Sequence, residues 1–451
     1  MSATFDDDRP ALIEADTGRV LSHRDLHREV DAAAETMAGR KSLMMLAFDH
    51  TTAAVVAYLA ARRCGHAVMI LPAALDRARI DALAERYRPE LSWPADLGPA
   101  APPGTGGPLH PELSHLLPTS GSTGSPKMVR LSATNVAANT AAIARSLDLQ
   151  PADRAVTSLP LSYSYGLSVL NSHLHAGATV VLTSASVVER RFWEIVAEQR
   201  VTSLAGVPYT FQMLERVGFA GMDLPRLTTL TQAGGRLSDE LIGSYHQTMV
   251  ARGGRLYVMY GQTEASPRMT CLPPGWLPAK TGSVGVALDG GRLQIRTDDG
   301  RLTSEAGVEG EVVYRGPNVM MGYADSRPDL ADGDVTGGVL HTGDIGHLDP
   351  DGCLWLTGRS KRIAKLYGVR VSLDDVEKLF DSCAPVAAVA GDDTVSVHHE
   401  GADPSALREA RLAAARTLRV PPSAIRLVGH DTGLPTTANG KVDYRRLGPG
   451  R

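Results

Sequence analysis

From Val20 onward, short apolar runs alternate with stretches whose apolar residues recur at helical spacing. Ser22 with Asp25 after it reads as a capping box that opens a helix, and Leu43 to Phe48 reads as a strand. A helix is expected from Thr51, a strand at Ala67 to Leu71, and another helical face at Ile80, Leu83 and Ala84. The stretch from Pro94 to Pro111 is rich in Ala, Pro and Gly and reads as a surface connection within one domain, leading to Leu116 and Leu117. Met128 to Leu131 reads as strand, and Thr134 is expected to cap a helix with Val136, Ile143 and Leu147 on one face. Strands are then expected at Ala155 to Ser158, Thr179 to Leu182, Val201 to Ala205, Leu227 to Thr231 and Leu256 to Met259, with helices between them. That alternation predicts a parallel sheet covered on both faces, with the site in loops at the carboxyl ends of its strands.

Beyond Pro278 the helical spacing stops, and turns such as Asp299-Gly300 and Asp351-Gly352 separate short strands up to Leu356. A fresh unit follows, with strands around Ile363 and Val369, a helix from Leu373 to Phe380 capped by Ser372, and another from Pro404 to Leu418. The expected class is α/β. A large N-terminal domain (1–357) carries parallel-type sheets covered by helices and a β-rich subdomain at about 279–357. A polar hinge (358–361) then leads to a small α+β C-terminal lid (362–451).

Composition narrows the partners. The chain has 451 residues, 43% of them hydrophobic and 21% charged, with a formal net charge of −4. It carries no basic run suited to nucleic acid and no apolar run long enough for a bilayer, so a cytoplasmic protein is expected. The four cysteines stand singly, which suits a reducing compartment and inert thiols.

Chemistry concentrates at Thr119 to Lys127. Gly121 and Gly124 let the backbone approach a ligand, Ser120, Ser122 and Thr123 offer donors, and Lys127 adds a charge. Such donors suit an anionic phosphate, although the order is not that of a Walker loop. The strand ending at Met259 runs into Tyr260-Gly261-Gln262-Thr263-Glu264, where an aromatic face, a glycine and one carboxylate suit a nucleotide with Mg²⁺. Asp344, in His341-Thr342-Gly343-Asp344, offers a carboxylate to a ribose diol, with Arg359 further on and Lys441 on a terminal turn.

In combination these residues resemble the adenylate-forming superfamily of acyl-CoA synthetases, peptide-synthetase adenylation domains and luciferases, from about Leu12 to Leu447. Further matching motifs are Pro160 to Gly166, Ala233-Gly234-Gly235, Gly310 to Tyr323 and Gly358 to Gly368, all in the family's order. The resemblance implies ATP and Mg²⁺ as cofactors. It implies that Thr119, Ser120, Gly121, Ser122, Thr123, Gly124 and Lys127 hold the phosphates, that Tyr260 stacks on adenine, and that Gly235 and Gly261 border the nucleotide. Thr263 would contact the α-phosphate, Glu264 would hold the metal, Asp344 with Arg359 would grip the ribose, and Lys441 would bridge the substrate carboxylate and α-phosphate. Lid rotation about Lys361 would exchange Lys441 for Gly368 at the mouth of a pantetheine tunnel. Tyr163 and Gly234 would border the acid pocket.

The implied function is activation of a carboxylic acid to an acyl-adenylate with pyrophosphate release, then transfer to a thiol. A carrier protein's phosphopantetheine is favoured over coenzyme A, because the lid is expected to be trimmed and no basic cluster suits a 3′-phosphate. Alternatives are transfer to an amine, as in an amide synthetase or diazo-forming enzyme, and a silent adenylate-binding protein. The presence of both Glu264 and Lys441 speaks against silence. Tyr163 replaces a common histidine of the family, Arg362 a usual acidic residue, and Ala364 an aliphatic one. Tyr163 to Leu170 lacks the aspartate that would pair with an α-amino group, so ordinary α-amino acids are disfavoured. Tyr163 reads equally as pocket wall and as core aromatic. Tyr165 reads as structure, and His398 and His399 as solvent-exposed.

Overall fold

The computed structural model describes residues 7–98, 101–102, 105–118, 127–359, 362–366, 369–391, 393–401, 403–418, 420–431, 433–437 and 442–448. By contact density the chain divides into two units. The first comprises Met1–Thr281, Val286–Arg292 and Tyr314–Leu340, and the second comprises Gly282–Gly285, Leu293–Val313 and His341–Arg451.

Two sheets organise the first unit. The larger has nine strands in the order Val286–Ala287, Arg268–Leu272, Arg255–Gly261, Thr229–Gln232, Ser203–Gly206, Arg154–Val156, Thr179–Leu182, Pro10–Glu14 and Arg19–Ser22. Its interior pairs are parallel, and antiparallel strands close both edges. The second has six strands, with a parallel core from Leu43–Phe48, Ala67–Pro72, Leu91–Trp93 and Leu113–Pro118, extended antiparallel by Met128–Ser132 and Gly322–Ala324.

The helix Thr52–Arg63 shows why the sheets share a core. Its sequence is apolar nearly all round, as a helix buried on every side requires, and Ala54, Val55, Ala57, Tyr58 and Ala60 are buried. One hydrophobic cluster joins these residues to Leu12, Val180 and Leu182 of the nine-stranded sheet and to Leu46, Ile70 and Val129 of the six-stranded one. Each fully buried Val or Leu there stabilises by about 1.5–3 kcal/mol. Ser22 caps the helix His23–Met37 in a capping box with Asp25, as expected, and Thr51, where a helix start was expected, is the cap of the helix Thr52–Arg63. The expected cap at Thr134 is a correction. The strand Met128–Ser132 runs directly into the helix, so Ser132 caps Ala133–Ser146, accepting from Asn135 N while the Asn135 side chain accepts from Ser132 N.

A buried ion pair ties loops to the second sheet. Arg327 Nη2 lies 2.7 Å from Glu90 Oε1, with side chains 5% and 4% exposed. The guanidinium also donates to the carbonyls of Arg88 at 3.0 Å and Gly107 at 2.7 Å, while Glu90 accepts from Leu43 N at 2.9 Å.

The second unit holds a five-stranded sheet that includes Arg292–Arg296, Gly310–Arg315, Val339–Leu348 and Leu354–Arg359, then the hairpin Ile363–Leu366 and Val369–Ser372. A three-stranded sheet of Val386–Ala390, Val395–Glu400 and Ile425–His430 follows, with the helices Leu373–Lys378 and Pro404–Leu418. The β-rich segment and the C-terminal chain thus belong to one unit. Arg362, which departs from the family's usual acidic residue, is held inside this unit by ion pairs to Asp374 and Glu377, with its guanidinium 4.3 Å from the Tyr444 ring centroid. His398 is corrected. It sits on the central strand of the three-stranded sheet, 3% exposed; Val395 and Val397 face the apolar cluster, and His398 on the opposite face is covered by His430, Nε2 to Nδ1 at 2.9 Å, and by the Gly448 carbonyl, 2.9 Å from its Nε2. Among the described residues no helix is long and apolar enough to cross a membrane.

Candidate active site

The strand Arg255–Gly261 pairs in parallel with Thr229–Gln232 and antiparallel with Arg268–Leu272, where Gly261 faces Arg268. A Cβ on Gly261 would lie 2.0 Å from the Pro267 carbonyl oxygen, so only glycine lets the two strand ends close. The chain then turns through the short helix Thr263–Ala265. Asn318 braces this turn from behind, donating to Ala265 O at 2.7 Å and Arg268 O at 3.0 Å while accepting from Tyr314 Oη at 2.9 Å. Its backbone carbonyl accepts from Ser266 Oγ at 2.8 Å.

Two contacts gather separate motifs at this turn. Thr263 Oγ1 lies 3.1 Å from Ser164 Oγ, at the first residue of the helix Ser164–His175. Gly166 in that helix is another close approach, since a Cβ there would lie 2.2 Å from Pro160 O. On the other side, Tyr323 Oη donates to Glu264 Oε1 at 2.9 Å. Partial burial and the adjacent Glu264 charge raise the Tyr323 hydroxyl above its usual range, which keeps it a donor. The strand Gly322–Ala324 pairs with Met128–Ser132, setting Tyr323 opposite Val129. Lys127 precedes that strand; its Nζ lies 5.9 Å from the Tyr323 ring centroid and 3.8 Å from Asp325 Oδ2. Both partners of that ion pair are about half exposed, so it contributes little stability and leaves the ammonium accessible.

Tyr260, one residue before the end of the strand, has 8% of its surface exposed. Gly234 has φ 85°, a left-handed conformation that favours glycine, and a Cβ on Gly235 would stand 3.1 Å from Pro208 Cγ. Tyr163 precedes the helix, its ring 6.3 Å from that of Tyr165 at 70°, and burial pushes its hydroxyl up to about 12. Tyr165 is buried, donates to Thr231 O at 2.9 Å and lies under the Arg268 guanidinium at 4.3 Å. In the second unit Asp344 stands opposite Arg359, with Nε to Oδ1 at 2.8 Å; the carboxylate is buried and the guanidinium is exposed. Thr342 fixes that strand, donating to Val312 O at 2.8 Å and accepting from Asp344 N at 3.1 Å.

Thr119, Ser120, Gly121, Ser122, Thr123, Gly124, Lys361, Gly368 and Lys441 lie outside the described residues. Among the described residues no group of three or more His, Cys, Asp or Glu side chains can hold a metal. Glu264 nevertheless fits Mg²⁺. Its carboxylate is a hard oxygen donor, half-buried at a turn, and one protein carboxylate is enough when phosphate oxygens and waters supply the rest. Sequence reasoning missed Ser164, Asn318 and Arg268. The first two stood inside noted motifs without a mark to separate them from their neighbours, and Arg268 stood outside any motif.

Residues 105–324 match the family described as AMP-binding enzyme. The chain is 31% identical over 470 residues to the non-ribosomal peptide synthetase CmlP of Streptomyces venezuelae, covering 95% of this chain and 47% of that protein. It is 33% identical over 274 residues to the indoleacetate–CoA ligase of Aromatoleum aromaticum, covering 60% and 52% respectively. The chain thus spans about half the length of the curated relatives it matches. Among solved structures, the o-succinylbenzoate CoA synthetase of Bacillus subtilis in complex with its acyl-adenylate intermediate aligns with a TM-score of 0.80 at 20% identity, over 98% of this chain and 96% of that one. A shared domain, relatives of two kinds along the chain and a common fold make this chain a member of the adenylate-forming superfamily.

Proposed function

We propose that the protein uses ATP and Mg²⁺ to activate a carboxylic acid as an acyl-adenylate and then passes the acyl group to a thiol. The observation that carries this reading is the contiguous run of Lys127, Tyr323, Glu264, Thr263 and Ser164 at the carboxyl end of the strand Arg255–Gly261. Cationic, hydroxyl and carboxylate groups set at a strand end suit a nucleoside triphosphate.

In the first step a carboxylate oxygen of the acid attacks the α-phosphorus, a new P–O bond forms, and the bond to the departing pyrophosphate breaks. Thr263 donates to an α-phosphate oxygen, with Ser164 fixing its hydroxyl, and Lys127 neutralises the outer phosphates. Glu264, oriented by Tyr323, would hold Mg²⁺, whose charge would stabilise the pyrophosphate leaving group. Asp344, held by Arg359, accepts from the ribose hydroxyls. Lys441 belongs to this step as the bridge between carboxylate and α-phosphate. In the second step the acceptor sulfur attacks the acyl carbon, the acyl–phosphate bond breaks with AMP as leaving group, and the thiol proton passes to solvent. The CoA ligase among the relatives supports a thiol acceptor. Coenzyme A and a carrier protein's phosphopantetheine share that chemistry, and mass analysis of the acylated product tells them apart.

The test is acid-dependent exchange of labelled pyrophosphate into ATP across a broad panel of acids. Exchange with at least one acid lacking an α-amino group is expected, and none with any acid would overturn the reading. Glu264→Gln should lower turnover at saturating ATP and raise the magnesium requirement. An unchanged magnesium dependence would remove Glu264 from the metal shell.

A further inference from the structure

Arg268 is 3% exposed, yet no carboxylate lies within ion-pair range of it among the described residues, and its Nε has no hydrogen-bond partner. The face of Tyr165, 4.3 Å away, partly compensates the charge. A guanidinium taken out of water with neither an anion nor a set of carbonyl acceptors such as Arg130 has is costly, and a partner that arrives with a ligand relieves that cost. The surroundings mix polar side chains with the apolar Ile143, Leu147, Val169 and Met259. With Arg268 and Tyr165, a small cavity is lined by Ser168, His173, Ser203 and Thr231, and its free space is about 10 Å³, room for one water or one oxygen of an anion without rearrangement.

The cavity also lies where an activated acid would extend. It is walled by the helix Ser164–His175, whose first residue contacts Thr263, and by Met259, next to Tyr260. Arg268 faces Gly261 across the strand pair, directly behind the turn that carries Thr263 and Glu264. We infer that the acid substrate carries a second anionic group, a distal carboxylate, which pairs with Arg268 while the first carboxylate is adenylated. This rests on the adenylation reading above. It also excludes ammonium-bearing acids for a physical reason, since a buried cation repels a second one.

The experiment is pyrophosphate exchange with succinate, glutarate, adipate and the phthalate isomers, each set against its monoacid: butyrate, valerate, hexanoate or benzoate. The wild-type protein is expected to favour at least one diacid over its monoacid by about a hundredfold or more in kcat/KM, because the monoacid leaves Arg268 buried and unpaired. Arg268→Met should collapse that ratio to about tenfold or less. Arg268→Lys, which keeps the charge without the planar fork, should fall between them. If Arg268→Met fails to fold by circular dichroism, the wild-type ratios and Arg268→Lys decide. Exchange with monoacids at rates equal to or above the diacids, or a ratio untouched in either folded variant, would overturn the inference and leave adenylation standing. Exchange with no acid of either class would remove both.

Discussion

A Cβ on residue 261 would stand 2.0 Å from a backbone oxygen, whereas one on residue 235 would meet only a proline ring atom at 3.1 Å. The two glycines stand in neighbouring motifs, yet their environments predict different outcomes. At 261 the obstacle is main chain, so the strand or the Pro267 turn must move. Overpacking of this kind costs about 1–3 kcal/mol. Because Thr263 and Glu264 ride on the next turn, their placement moves with it. Gly261→Ala is therefore expected to lower the denaturant midpoint by an amount equivalent to that cost and to slow exchange, while Gly235→Ala is accommodated by a small shift of the Pro208 ring. Equal stability in both variants would show that the turn relaxes freely. Sequence alone singled out both glycines as bordering the nucleotide. Only the positions of Pro267 and Pro208 separate a backbone obstacle from a yielding one.

Between elements, the pair Glu90–Arg327 joins segments 237 residues apart in the chain. Each charge is buried and its hydrogen bonds go to the partner or to backbone groups, so the pair is satisfied only while both members are present. Removing one member leaves a desolvated charge. Arg327→Met should destabilise by about 3–5 kcal/mol in denaturant titration, and the double variant Glu90→Gln, Arg327→Met by less than the sum of the single changes. Additive losses would mean that the two side chains do not depend on one another. Helix starts, by contrast, were local enough to read. Ser22, Asp25 and Thr51 carry their own caps, and the Thr134 error arose where two cap-forming residues stood close together and the end of strand pairing chose Ser132.

For the whole molecule, the proposed cycle asks the C-terminal segment to serve each half-reaction in turn. Lys441 supplies a charge to the first step, where negative charge builds on the phosphoryl oxygens, and losing one placed donor typically costs about a hundredfold to a thousandfold. Lys441→Ala is expected to make almost no adenylate, yet to transfer the acyl group from presynthesised acyl-AMP to thiol at near wild-type rate. Gly368→Trp should reverse the pattern, forming adenylate and blocking transfer. Equal damage to both steps in Lys441→Ala would mean that the segment does not alternate about Lys361.

Apolar periodicity, cap residues and the order of motifs were enough to establish the α/β alternation, five strands of the nine-stranded sheet, three of the six-stranded one and the adenylate-forming family. Each is encoded within a few residues of chain. The meeting of Tyr323 with Glu264 across 59 residues, and of Ser164 with Thr263 across 99, depends on which strands become neighbours and in what register. Tertiary packing likewise buried His398, covering it with His430 and the Gly448 carbonyl, residues distant from it in sequence. It also left Arg268 buried without a counter-ion, because whether a charge is paired depends on every element packed around it.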